Sequence, residues 1–154
     1  MKLSNTARAL LAGATLALSA PLVADSQPVP AKGLDPVTME RLQNNRGITL
    51  QWIGWDQRGI ALVRRGADGT VRLSGGQIDP KGAGTLWLDG KVIEAGPDYF
   101  VFDGLIRIAE TPDEGRVCEA KKRWHFAITQ NRKYYRLREF EWCDGLTDYI
   151  DIYF

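Results

Sequence analysis

Few side chains in this sequence have the type and spacing that chemistry requires. Its one histidine, His125, sits between its two cysteines, Cys118 and Cys143, in the run CEAKKRWHFAITQNRKYYRLREFEWC. A nucleophilic triad built on His125 needs a hydroxyl. Once an N-terminal signal is removed the one serine left is Ser74, in RLSGG, which is not the G-x-S-x-G elbow that exposes a nucleophile at a strand-to-helix turn. With the two cysteines oxidised, one imidazole also falls short of the three or four ligands that zinc takes. Paired carboxylates can hydrolyse a glycoside, and Asp98 with Asp103, or Glu139 with Asp148, are such pairs. Asp144, Asp148 and Asp151 could gather calcium, but the alternating loop with a closing glutamate is missing. Nor is there a phosphate loop, a GxGxxG or a CxxC. The residue types point away from catalysis, with no metal and no cofactor expected. A carboxylate-based hydrolase is the third-ranked reading.

Two cysteines in an exported chain form a disulfide more readily than a metal or redox pair. Cys118 and Cys143 are equidistant from Gln130-Asn131. A hairpin turn there sets Cys118 directly opposite Cys143, at a spacing a disulfide accepts. The same register sets Trp124 against Leu137 and Phe126 against Tyr135 as an apolar stripe. A turn at Asn131-Arg132 instead moves the cysteines two residues out of register.

Recognition chemistry is better represented. The stretch 116–138 carries Arg116, Lys121, Lys122, Arg123, Arg132, Lys133, Arg136 and Arg138 against the single acid Glu119. In the symmetric register Arg123, His125, Arg136 and Arg138 share the face opposite Trp124 and Phe126. Cations interleaved with aromatics grip phosphates and stack on rings. The plainer alternative is a solvated face balanced by the acids that follow. Trp52, Trp55 and Trp87 are further candidate contacts. Trp52 and Trp55 lie three apart, so on one strand they face opposite sides of a sheet. Indoles inside a barrel suit an apolar guest, and exposed ones suit stacking on a ligand.

The elements that position these residues read as strands. The run 35–47 is the exception. Asp35 can cap a short helix, Pro36 suits its first position, Gly47 can end it, and Leu34 with Met39 can form a hydrophobic staple. From Ile48 onward the pattern has period two. Asp-Gly recurs at 68–69, 89–90, 103–104 and 144–145, and this dipeptide favours two-residue hairpins because both positions take positive φ. A turn at Asp89-Gly90 places Trp87 against Val92 and Leu86 against Ile93. Asp103-Gly104 fits either a turn or the interior of one long bulged strand. Around Gly66–Gly69 a hairpin places Arg65 opposite Arg72. The expected fold is all-β, an antiparallel meander of about eight to ten strands, closed as a barrel or packed as a sandwich to hide its edges. One short N-terminal helix precedes it.

Lys2 and Arg8, the uncharged run Ala9–Ala24 and the small residues Ala24–Ser26 have the layout of a cleaved signal peptide over 1–26. The run is too short to span a membrane. A linker, 27–34, and one β domain, 35–154, follow, and the location implied is periplasmic or secreted. Removing Lys2 and Arg8 from 20 basic residues, and Asp25 from 19 acidic ones, leaves 18 of each, so overall charge implies no nucleic-acid partner. The ending DYIDIYF resembles the terminal strand of outer-membrane barrels, but several strands are shorter than the 9–11 residues or so that crossing a membrane takes. Thr147-Asp148-Tyr149 resembles the TDY of lipocalins. The lipocalin Gly-x-Trp is missing and no strand and helix follow, so the sequence is placed in no family. The reading ranked first is non-catalytic binding of a small apolar or amphiphilic molecule in a barrel mouth. The second is surface recognition of a glycan, polyanion or protein partner, an envelope component among them, through the tryptophans and the basic hairpin.

Overall fold

The computed structural model describes residues 33–154; the expected signal peptide and nearly all of the expected linker lie outside that range. In chain order the elements are α1 (Pro36–Gln43), β1 (Ile48–Leu50), β2 (Ile60–Arg65), β3 (Val71–Ile78), β4 (Thr85–Gly96), β5 (Tyr99–Ala109), β6 (Val117–Ala127), β7 (Tyr134–Leu137) and β8 (Ile150–Tyr153). The strands form one antiparallel sheet in the order β1-β8-β7-β6-β5-β4-β3-β2. Ile48 and Gly59 exchange backbone hydrogen bonds of 3.2 and 2.8 Å, so the two ends of the sheet meet and the barrel nearly closes. The expected all-β meander with one short helix is what forms, as a barrel and not a sandwich.

Alternation drives the closure. Along β3, Val71, Leu73 and Gln77 turn inward and are buried, while Arg72 and Ile78 face out. The interior is filled by Phe100, Phe102, Trp124, Phe126 and Tyr135, all fully buried. Phe100 stacks on Phe126 with centroids 4.9 Å apart, and the Trp124 indole N–H donates to the Gly104 carbonyl at 2.9 Å. Where β1 stops short of β2, the buried Gln77 amide bridges the gap. Its oxygen accepts from Leu50 N–H at 2.6 Å, and its nitrogen donates to the carbonyls of Gly54 and Gln57.

The helix starts as expected, since the Asp35 carboxylate accepts the Thr38 N–H at 2.9 Å. It stops at Asn44, not at Gly47, because the chain must turn there to enter β1. Met39 and Leu42 pack into the core, and the Thr38 hydroxyl donates to the Gly96 carbonyl at 2.6 Å. The helix therefore closes the barrel at the β4–β5 turn.

Several local expectations are corrected. Asp89-Gly90 is not a turn but lies inside β4, while Asp103-Gly104 takes the long-strand alternative inside β5, and Gly90 pairs directly with Gly104. A Cβ on either glycine would collide with the Phe102 ring; the missing side chains make room for that ring. Trp87 consequently pairs with Gly76 and Arg107, and Leu86 with Gln77 and Ile108. The 66–69 reversal is real, with Gly69 at φ +81°, but it sets Arg64, not Arg65, opposite Arg72.

In the β6–β7 hairpin, Gln130 and Asn131 both take φ +55°, as a turn there requires. Extra residues in the second arm shift the ladder, so that Phe126 pairs with Leu137 and Ala127 with Arg136. The Cys118–Cys143 disulfide forms, with Cα atoms 6.0 Å apart. It is not a rung of paired strands, because β7 has ended and Cys143 reaches β6 from the 138–149 loop.

Candidate functional site on the outer barrel wall

The sheet register lines up Ile60 of β2, Gly76 of β3 and Trp87 of β4 on the outer wall. Gly76 contributes no side chain, and a Cβ there would strike the Leu86 carbonyl. Ile60, Leu62, Ile78 and Trp87 stand around this floor, with Arg58 and Ser74 completing a groove of about 470 Å³. These four apolar side chains are 66, 46, 76 and 51% exposed, and their proximity makes them a patch. Single exposed hydrophobes are ordinary, whereas a contiguous group marks an interaction site.

Beside it, the outer faces of β1, β7 and β8 carry a cluster of arginines and aromatics. Arg136 grips Asp151 with two bonds of 2.7 Å. Its guanidinium lies 4.1 Å from the Tyr149 ring centre, 5.1 Å from Tyr134 and 5.7 Å from Trp55. Burial pushes the Asp151 carboxyl above its ordinary value, while the Arg136 contact pulls the other way. Burial likewise raises the Tyr153 phenol, whose ring carries the Arg58 guanidinium at 3.8 Å. Arg58 thus belongs both to this cluster and to the apolar groove. The composition, Trp, Tyr and Arg around an apolar centre, is that of residues that dominate protein interfaces.

A second polar network closes the barrel end away from the helix. Arg116 donates to Asp144 at 2.8 and 2.9 Å, to Asp148 at 3.1 and 3.0 Å and to the Thr111 carbonyl at 3.0 Å. The Trp52 indole N–H donates to Asp148 at 2.9 Å. The Arg116 contact holds the Asp144 carboxyl below its ordinary value, and Asp144 followed by Asp148 raises the guanidinium. Every polar group here is occupied by another, which makes the network a structural plug with no free acid or base.

The residues expected to bind therefore part company. Trp52 and Trp55 sit on a turn after the three-residue β1, not on one strand. Trp52 belongs to the plug. Trp55 meets Arg136, and Trp87 lines the groove. Arg123 and His125 lie on the outer face of β6, with Arg123 opposite Asp103. His125 packs edge-on against Tyr99, 5.3 Å between centroids, and its backbone N–H donates to Glu139. Arg138 N–H donates to the His125 carbonyl at 2.8 Å. So His125 and Arg138 adjoin, while Arg136 is neutralised by Asp151 and faces the aromatic cluster.

Sequence reasoning passed over Ile60, Leu62 and Ile78. In IALVRR both alternating sets are apolar, so period two alone does not say which faces out. The small inward pair, Ala61 and Val63, was the available signal, since a crowded interior takes the smaller residues.

The chain matches the PM1083 family over residues 30–154. It is 31% identical over 125 residues to Uncharacterized protein PM1083 of Pasteurella multocida (strain Pm70), covering 77% of this chain and 80% of that protein. No solved structure matches it. On the extent of these matches the chain belongs to the PM1083 family.

Proposed function

We propose that this is an exported, non-catalytic recognition protein that docks a partner protein on its outer barrel wall. The observation that carries the reading is the ring of exposed Ile60, Leu62, Ile78 and Trp87 around the Gly76 floor, flanked by Trp55, Arg58 and Arg136. Export to the periplasm or outside the cell, after loss of 1–26, agrees with the disulfide. No helix among the described residues is long and apolar enough to cross a membrane. The filled interior supports a site on the wall in preference to one in a barrel mouth. A small amphiphile remains the second reading, because a groove of about 470 Å³ lies within the usual size of ligand sites. The basic face of Arg123, His125 and Arg138 ranks lower, since Asp103 and Glu139 adjoin it.

The test is site-specific photocrosslinking in the native compartment. A photoreactive benzoylphenylalanine at position 60 or 78 should give a discrete protein adduct that one at position 123 does not. Absence of adducts at 60 and 78, or the same adducts at 123, would overturn the docking reading.

A further inference from the structure

The barrel is incomplete along one line, the seam between β1 and β2. Amide groups of alternate residues in an antiparallel strand point to the same side. On the seam side Gly59 pairs with Ile48, and the Ala61 carbonyl accepts the Asn45 side-chain amide at 2.8 Å. The next groups on that side belong to Val63 and Arg65. β1 does not extend that far, since its first residue, Ile48, already pairs antiparallel with Gly59, and among the described strands β2 has its ladder only with β3. The seam opens into a space of about 420 Å³ lined by Gln43, Asn45, Arg46, Arg58 and β2 itself. It shares Arg58, Ile60 and Leu62 with the apolar groove.

Charge along the seam has one sign. Arg46, Arg58, Arg64 and Arg65 make no ion pair among the described residues, and no acid lines either cavity. Elsewhere on the wall Arg72 is matched by Asp89, Arg107 by Glu119 and Arg136 by Asp151, while Arg123 and Arg138 have acids close by in Asp103 and Glu139. Unpaired cations at a free strand edge keep like chains from pairing there, because two copies would bring arginines together. They also select what can pair.

We infer that the β2 edge receives an extended, acidic segment of the partner protein by strand addition, its backbone pairing with Val63 and Arg65. Its outward apolar side chains enter the groove beside Ile60 and Leu62, and its carboxylates meet Arg46, Arg58, Arg64 and Arg65. The inference rests on the docking reading and specifies its geometry. Main-chain hydrogen bonds give such a contact affinity, and the alternate side chains give it selectivity.

The full-length mature protein is titrated with a capped peptide, EVEVEVE, and followed by amide NMR. The peptide should shift the Val63 and Arg65 amides and slow their hydrogen exchange at least tenfold at saturation. The same peptide N-methylated along one edge, and KVKVKVK, should each bind at least tenfold more weakly. The Arg64→Glu/Arg65→Glu variant should reverse the preference between the acidic and basic peptides. Shifts confined to Ile78 and Trp87, equal binding of the N-methylated peptide, or no peptide binding while photoadducts form at position 78, would overturn strand addition and leave docking intact. Loss of the photoadducts would overturn both.

Discussion

At the residue scale, two arginine–carboxylate pairs do unlike work although the sequence presents them alike. Arg116 and Arg136 belong to one basic run, but Arg116 is drawn into the barrel end by Asp144 and Asp148, and Arg136 lies on the wall over Asp151. Charge counting could not separate them, because a partner's position depends on the fold of the 138–149 loop. The Asp151 pair makes a prediction with a definite sign. A carboxyl whose folded-state pKa lies above its unfolded value stabilises the fold when protonated, and that contribution is lost as pH rises through the folded value. In Arg136→Gln burial acts on Asp151 against only the weaker pull of Arg132, so its pKa should climb further. The variant should lose about 3–5 kcal/mol near neutral pH, the usual cost of breaking a buried pair, and recover part of it in acid. Denaturant unfolding across pH 4–8, with carboxyl NMR of Asp151, checks both. A loss that did not shrink in acid would refute the linkage.

At the element scale, the helix, the period-two strands and the staple were legible, and register was not. The Gln130-Asn131 turn was correctly placed, yet the β6–β7 ladder slipped by two residues. A register depends on the whole wall of neighbours, β7 being held by β8 as well as β6. The Asp-Gly turn signal failed in β4, and in β5 it left turn and strand undecided, for a related reason. Local turn preference gave way to the space that Phe102 needs across the barrel. The disulfide ties the 138–149 loop, which carries Asp144 and Asp148, to β6. Cys118→Ala/Cys143→Ala frees a constraint spanning 25 residues. In the chain-entropy model this costs about 3 kcal/mol. Chemical unfolding should show that loss, with hydrogen exchange accelerated first in residues 138–149. Unchanged exchange there would assign the staple's effect to the unfolded chain alone.

At the scale of the whole molecule, fold class was readable because hydrophobic alternation is a property of the complete sequence. The site was not, since an outward-facing apolar residue resembles a core residue until the sheet is assembled. Ile60 and Ile78 illustrate this, each lying in a strand whose inward residues are no more apolar than they are. Because the patch adds nothing to the core, Ile78→Asp and Trp87→Ser should each change stability by no more than about 0.5 kcal/mol. They should still abolish binding of an apolar dye such as bis-ANS. A large fall in melting temperature would instead make the patch part of the fold. The wall itself closes through its sequence extremes, with Ile48 pairing to Ile152 and the β8 residue Tyr135 faces, Ile152, also holding β7. This β1–β8 ladder joins segments far apart in the chain, the kind of contact that forms slowly because a long loop must close before it is made. Sealing of the barrel is therefore bound to its most distant pairing, and a barrel that has lost the β1–β8 ladder has lost its seal along with it.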